Sequence, residues 1–346
     1  MPRQPTGPLA PSSFLDTRFA PFLQSRCAQP TDDAEAIVFS SLAIHLLAET
    51  ATPAGRLPGP SSRITLSPAT MPASLFRHLA ESLLSIVLEA GRVQMAHFKS
   101  GVAVETKADR SLVTVADRQS EEIILEGLAR AAPGVPVVAE EEVTAGRIPQ
   151  IEGAFFLVDP LDGTNGFVKG RAEFTINIGL IEERRPTFGL VYAPALADLY
   201  VTTGPGEAAN ARLEPGADVH RLADCSLAPI RTRVPDPNAL GALTSQTNLN
   251  TATRRFLDGY SVQEQRAVAS SLKFGLLARG EADLYPRVGP TSEWDTAAGH
   301  AVLAAAGGVV TTLDGAPLLY GNVARRFVNP DFVAWGRKPL AKVREI

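Results

Sequence analysis

Ala154-Phe-Phe-Leu-Val-Asp-Pro-Leu-Asp-Gly-Thr164 is an apolar run that ends in one acid and turns through a second three residues later. The run reads as a buried strand. Pro160 has no N–H to offer, so regular pairing cannot continue past Asp159 and the chain turns. The turn lets Asp162 face the same side as Asp159 and frees the Leu161 carbonyl as a further oxygen donor. Gly163 permits close approach of a ligand to the backbone. The N–H groups of Gly163 and Thr164 then open a helix start suited to an anion such as phosphate. Taken alone, the stretch has a plainer reading as a surface turn with solvated acids, and the pattern favours the site over it.

Two distant segments tip that balance further. Trp294-Asp-Thr-Ala-Ala-Gly-His300 places an acid at the head of a small-residue helix, and Glu140-Glu141-Glu142 follows the apolar run Val135-Pro-Val-Val138. In isolation Asp295 is a helix N-cap and the glutamates are a solvated patch. Together with Asp159 and Asp162 they are acids clustered at strand ends, which is costly unless something positive holds them. Hard divalent cations with oxygen ligands answer that need, magnesium first among them. Asp159 would bridge two ions, with Glu140 and the Leu161 carbonyl on one and Asp162 and Asp295 on the other. Such a pair clamps the attacking and leaving oxygens of an in-line phosphoryl transfer.

The chain has 346 residues, 45% of them hydrophobic and 20% charged, with a formal net charge of −4. That is a soluble globular composition with room for two domains. The charge does not suggest a nucleic-acid polymer as partner, so an anionic ligand must be held locally. Cys27 and Cys225 match no metal or redox spacing and read as free thiols. No apolar run approaches a membrane span, and the start of the chain lacks a secretory pattern. A cytoplasmic location is expected, with no obligatory membrane contact, and peripheral attachment at the inner membrane face is compatible with it.

Residues 1–72 are rich in Pro, Ser, Thr and Ala and read as a weakly ordered extension with one short helical stretch between Asp33 and Glu49. Met71 directly precedes the first strongly periodic segment, so a translation start there is a second reading. The mass of the intact native protein decides between them. A first domain is expected over 73–238. In it Ser74 caps a helix carrying Leu75, Phe76, Leu79, Leu83, Ile86, Val87 and Ala90. A polar loop, Lys107–Ser111, leads into Val113-Thr-Val-Ala-Asp117, and a second helix runs from about Arg118 to Ala131. Strands at 135–139, 154–158, 174–181, 187–193 and 199–203 suggest an antiparallel-rich sheet, followed by a polar, Pro-rich excursion over 204–238. A second domain, 239–346, alternates strands and helices, so that an α+β half is joined to an α/β half. His97 and His300 read as ordinary helix residues.

Asp159–Thr164, Trp294–Gly299, Ala139-Glu-Glu141 and Val113-Thr-Val-Ala-Asp117 together resemble the inositol monophosphatase-like family of metal-dependent, lithium-sensitive phosphatases. The resemblance runs from about Leu75 to about Phe332. Within it, Glu173-Phe-Thr-Ile-Asn-Ile178, Gly189-Leu-Val-Tyr-Ala-Pro194, Ser270-Ser-Leu-Lys-Phe274 and the segment Leu284–Asp295 are most similar to the 3'(2'),5'-bisphosphate nucleotidase branch. That branch removes one phosphate from 3'-phosphoadenosine 5'-phosphate and leaves AMP. The resemblance implies a layered αβαβα sugar-phosphatase fold and two or three Mg2+ ions.

It also implies roles. Glu140, Asp159, Leu161 through its carbonyl, Asp162 and Asp295 would hold the metal. Asp117, Thr164 and Glu140 would form the catalytic set, with Asp117 and Thr164 orienting the attacking water. Glu140, Leu161, Asp162, Gly163, Thr164, Lys273 and Asp295 would face the substrate, and Lys107 and Asp109 would lie on the loop that completes the metal site. Lys273 would meet a second phosphate, against the plainer reading of a lysine on a helix surface. Arg287 carries the same ambiguity. Asn165-Gly166, Ala269 and Gln246 depart from the branch, at positions that bear on substrate and not on metal.

The expected partner is a small-molecule phosphate ester, a nucleotide bisphosphate before inositol monophosphate, fructose 1,6-bisphosphate or histidinol phosphate. A homodimer is one compatible assembly. A non-catalytic metal-binding relative is the reading from another class, and it leaves the Asp117 and Thr164 pair without a purpose.

Overall fold

The computed structural model describes residues 73–100, 104–106, 112–246 and 249–343. The extension, with Met71, Cys27 and the Asp33–Glu49 stretch, and the loop bearing Lys107 and Asp109 lie outside the described residues. Helix α1 (Ala73–Ser100) buries Phe76, Leu79, Leu83, Leu84, Val87 and Leu88, a stripe at spacings of three and four. Ser74 lies within this helix and does not cap it. Strands β1 (Val104–Thr106) and β2 (Leu112–Thr114) pair antiparallel.

Helix α2 (Val115–Ala131) begins three residues before the start suggested by its apolar pattern. Thr114 is the reason. Its hydroxyl accepts the Ala116 N–H at 3.2 Å while Asp117 accepts the Thr114 N–H at 2.8 Å, a reciprocal cap that fixes Asp117 in the first turn.

Strand β3 (Val137–Ala139) leads into the short helix α3 (Glu140–Thr144), and β4 (Phe155–Asp162) into α4 (Thr164–Val168). With β5 (Thr175–Glu182), β6 (Arg185–Ala193), β7 (Asp198–Gly204), β8 (Glu207–Arg212) and β9 (Ala228–Ile230), these strands form a seven-stranded sheet in sequence order. Only the β3–β4 pairing is parallel. The segment expected to be an excursion therefore supplies β8 and β9. Glu207-Ala-Ala-Asn-Ala-Arg212 has no β-branched residue and no strong strand preference; its pairing with β7 makes it a strand.

The second sheet contains β10 (Leu240–Ser245), β11 (Val262–Val268), β12 (Leu284–Arg287), β13 (Val309–Thr312) and β14 (Phe332–Trp335) in the order β11-β10-β12-β14-β13. Helices α5 (Thr251–Asp258), α6 (Leu272–Ala278) and α7 (Ala297–Ala305) join its strands. Helices α1 and α2 pack on one face of the first sheet through Phe156, Ile178, Leu190 and Tyr192. Helices α6 and α7 fill the space between the sheets, with Leu272, Ala298 and Val302 in the same core as Leu157 and Val191 of the first sheet and Leu243 and Phe332 of the second. Leu257 of α5 covers Leu240, Leu284 and Trp335 on the far side. The layers are αβαβα, as the resemblance implies. Both faces of β4 are covered, so its residues are buried almost without alternation.

The closest approach in this stack is made by α7. Gly179 and Gly189 are cross-strand partners on β5 and β6. A Cβ on Gly189 would lie 2.1 Å from the Ala298 carbonyl oxygen, and one on Gly179 would lie 2.8 Å from the Ala298 nitrogen. Two bare backbones on the sheet and small residues on the helix let α7 settle directly on the first sheet. No helix among the described residues is long and apolar enough to cross a membrane.

Candidate active site

Strand β4 continues past Val158 to Asp162. Asp159 stands opposite Asn177 and Asp162 opposite Thr175, and the register slips between them. The absent N–H of Pro160 thus produces a bulge and not an end. Gln94 of α1 fills the defect by donating to the Pro160 carbonyl at 2.6 Å, with Ser120 Oγ 3.1 Å away. The Leu161 N–H turns onto Asp159 Oδ1 at 3.0 Å. Gly163 takes φ 97°, a left-handed conformation open to glycine, and a Cβ there would lie 2.4 Å from Ser270 Oγ. Helix α4 starts next, so the first N–H groups have no partner from its own ladder.

Glu140, Asp159, Leu161, Asp162, Gly163, Thr164, Lys273 and Asp295 all line one cleft of about 430 Å3. Asp117 stands behind Thr164, whose Oγ1 lies 3.0 Å from Asp117 Oδ1 and 3.1 Å from the Leu161 carbonyl. Asp117 Oδ2 is occupied by the Thr114 N–H and hydroxyl, so Oδ1 is the oxygen left for Thr164. Asp295 arrives from the other half of the chain, in the turn before α7, where Ser292 N–H donates to its Oδ2 at 2.9 Å.

The carboxylates oppose one another. Asp159 is pushed well above its ordinary pKa by burial and then by Glu140, Asp162, Asp295 and Asp117, so it is the centre of the repulsion. Asp295 is raised by burial and by Asp162 and Glu140. Burial lifts Asp162 to about 6, held back by Lys273 and the Ser271 N–H. Burial also raises Asp117, against its bonds from Thr114 and Thr164. Carboxylate oxygens with one carbonyl fit a hard divalent cation and no soft metal. Among the described residues, no three His, Cys, Asp or Glu side chains converge into a ready ligand group. Opposite charge between these carboxylates would offset the repulsion that raises their pKa values.

A pH effect follows. With folded pKa values above the unfolded ones, the native state binds more protons over the interval between them, so stability falls as pH rises from the ordinary carboxylate range through about 6, the value for Asp162. Magnesium is expected to raise the melting temperature more at pH 8 than at pH 5, with EDTA as the reference at each pH. An equal effect at both values would refute this account of the cluster.

Lys273 is 4% exposed, which excludes a surface helix lysine. Its Nζ donates to the carbonyls of Val268 (3.1 Å) and Ser270 (2.5 Å) and lies 4.9 Å from the Tyr285 ring centre. Burial brings its pKa down to about 8. Ser270, at φ 54°, and Ser271 tie this segment to the first sheet. Ser270 Oγ lies 3.0 Å from the Asp162 carbonyl, and Ser271 Oγ donates to Asn177 Oδ1 at 2.6 Å. Arg287 also lines the cleft, donating to the Pro290 carbonyl at 2.7 Å, while its Nε is buried with no acceptor among the described residues. His300 is buried with its Nδ1 3.0 Å from Tyr320 Oη, a core residue.

Gln94, Glu121 and Arg171 were not expected at the site. Glu121 accepts the Glu141 N–H at 2.9 Å and so holds the start of α3, where Glu140 sits. Burial lifts its pKa to about 7. Its position four residues after Asp117, on the same helix face, was the available signal. Gln94 carried none, since only the bulge calls for it.

The sequence profile of the inositol monophosphatase family matches residues 77–339. The chain belongs to the inositol monophosphatase family. Its class of enzyme is that of a phosphatase. CysQ of Escherichia coli K12, named a 3'(2'),5'-bisphosphate nucleotidase, is 38% identical over 229 residues, covering 66% of this chain and 87% of that protein. The protein of that name from Salmonella typhimurium is 36% identical over 256 residues, covering 73% of this chain and 98% of its own. The crystal structure of CysQ from Bacteroides thetaiotaomicron superposes with a TM-score of 0.61 at 28% identity, over 78% of this chain and 99% of that one. An inositol monophosphatase from Anabaena superposes with a TM-score of 0.56 at 24% identity, over 75% and 90%, a likeness of fold alone within the family.

Proposed function

We propose that this chain is a magnesium-dependent phosphatase that converts 3'-phosphoadenosine 5'-phosphate to AMP and phosphate. The observation that carries the reading is the Asp117–Thr164 contact beside the buried carboxylates of β4, in a chain 38% identical to a bisphosphate nucleotidase. Asp117 Oδ1 can only accept when ionised, so the Thr164 hydroxyl donates to it and turns a lone pair toward the cleft. That lone pair accepts a proton of the attacking water and aims its oxygen at phosphorus. The N–H groups of Gly163 and Thr164 hold the phosphoryl oxygens. Glu140, Asp159, the Leu161 carbonyl, Asp162 and Asp295 would hold two or three magnesium ions. When bound, the metal supplies an acidified water and neutralises charge on the phosphoryl oxygens. Lys273 and Arg287 add positive charge to the lining of the cleft, which suits a polyanionic substrate. A module that only bound metal would gain nothing from the Asp117–Thr164 contact.

The test is phosphate release from 3'-phosphoadenosine 5'-phosphate and from inositol 1-phosphate, each with magnesium and with EDTA. Preferred turnover of the nucleotide, lost in EDTA, is the expected result. Preference for the inositol ester would overturn the substrate, and turnover of neither would overturn the catalytic reading.

A further inference from the structure

Arg171 and Gln246, which line the cleft, belong to a hydrogen-bonded clasp that includes Glu173. Arg171, in the loop between α4 and β5, donates from Nη1 to Gln246 Oε1 at 3.0 Å. Gln246, just past β10 in the second sheet, donates from Nε2 to Glu173 Oε2 at 2.5 Å. The same Glu173 oxygen accepts the Ala269 N–H at 2.9 Å. A carboxylate only accepts and a guanidinium only donates, so the Gln246 amide has one orientation that satisfies both neighbours. Its carbonyl is thereby committed to Arg171, and the guanidinium is held in place over the cleft that it lines.

The other cations of the cleft are engaged differently. Lys273 is buried and spends two of its three N–H donors on backbone carbonyls. Arg287 is tied to Pro290. Arg171 is exposed, and among the described residues no carboxylate pairs with it. Its remaining N–H groups form a planar fork, a shape suited to two phosphate oxygens at once. It also sits only eight residues after Gly163, on the loop that leaves the phosphate-facing helix start. The backbone ties that loop closed through Arg171 N–H to the Gly166 carbonyl at 2.9 Å. A cation fixed at the rim, a short loop away from the scissile phosphate, is matched by a substrate whose two phosphates lie at opposite ends of one nucleoside.

We propose that Arg171 binds the phosphate that is not cleaved, and thereby sets the preference for bisphosphorylated over monophosphorylated nucleotides. This rests on the substrate class proposed above. The test compares kcat/KM for 3'-phosphoadenosine 5'-phosphate with that for adenosine 3'-monophosphate, which lacks the second phosphate, in the wild-type chain, Arg171→Ala and Arg171→Lys. In Arg171→Ala the ratio of the two values is expected to fall roughly tenfold, mostly through KM for the bisphosphate. Arg171→Lys keeps the charge without the fork and should recover part of the ratio. A ratio unchanged by Arg171→Ala, or equal losses on both substrates, would overturn the assignment to Arg171 and leave the substrate class intact. A wild-type chain that does not turn over the bisphosphate would overturn the substrate class, and the assignment with it.

Discussion

Asp159→Asn is expected to abolish phosphate release, with kcat/KM falling by about 10³-fold or more, and at the same time to stabilise the metal-free protein. Both effects have one source. Asp159 is the carboxyl on which Glu140, Asp162, Asp295 and Asp117 all press, and it is 1% exposed. The asparagine is isosteric and keeps an oxygen for the Leu161 N–H, so the bulge of β4 survives. It removes the central negative charge, and with it both the repulsion in metal-free buffer and the oxygen donor proposed here for a cation. The measurement is phosphate release beside thermal unfolding with magnesium and with EDTA. A higher melting temperature in EDTA, with no further rise on adding magnesium, is the expected pair. A variant that keeps a tenth of the activity, or that magnesium stabilises as much as wild type, would rule out Asp159 as the central ligand.

Gly189→Ala is expected to be the most damaging small change outside the cleft. The added Cβ would fall 2.1 Å from the Ala298 carbonyl oxygen and 2.9 Å from Ala301 Cβ. The first contact is with helix backbone and cannot be relieved by a rotamer, so α7 must lift from the sheet. Overpacking of this kind costs about 3 kcal/mol, roughly 5 °C in melting temperature for a chain of this size. A shift below about 2 °C would show that α7 does not depend on the glycine pair. Gly206→Ala, where a Cβ meets nothing within 4 Å, compares a glycine in open space, although its φ of 68° adds its own strain.

Much of this was legible in the order of residue types. The β4 run, the two acids around Pro160 and the small-residue segment after Asp295 each carry local chemistry that survives into the fold. Pro160 was read correctly as a break in pairing, but the strand on the far side of the break was not, because antiparallel β5 resumes its ladder at Thr175. The start of α2 was misplaced because Thr114 and Asp117 look like loop residues until their reciprocal bonds are seen. Strands β8 and β9 were missed because their pairing comes from a neighbour and not from their own preference. Arg171, Gln246 and Glu173 could not be joined from sequence, since their contact exists only across the cleft.

The seating of α7 carries a wider consequence. The helix and Asp295 at its head come from the part of the chain that builds the second sheet, yet the helix rests on the glycine pair of the first. A metal ion held by both Asp159 and Asp295, as proposed, would sense how well the two sheets are docked, and its affinity would gauge assembly. Lesions that loosen the seat of α7 should surface first as a demand for more magnesium, in a protein still folded by every spectroscopic measure. For those variants the ion acts as a corrector, and the concentration that restores turnover ranks how far each has sprung open.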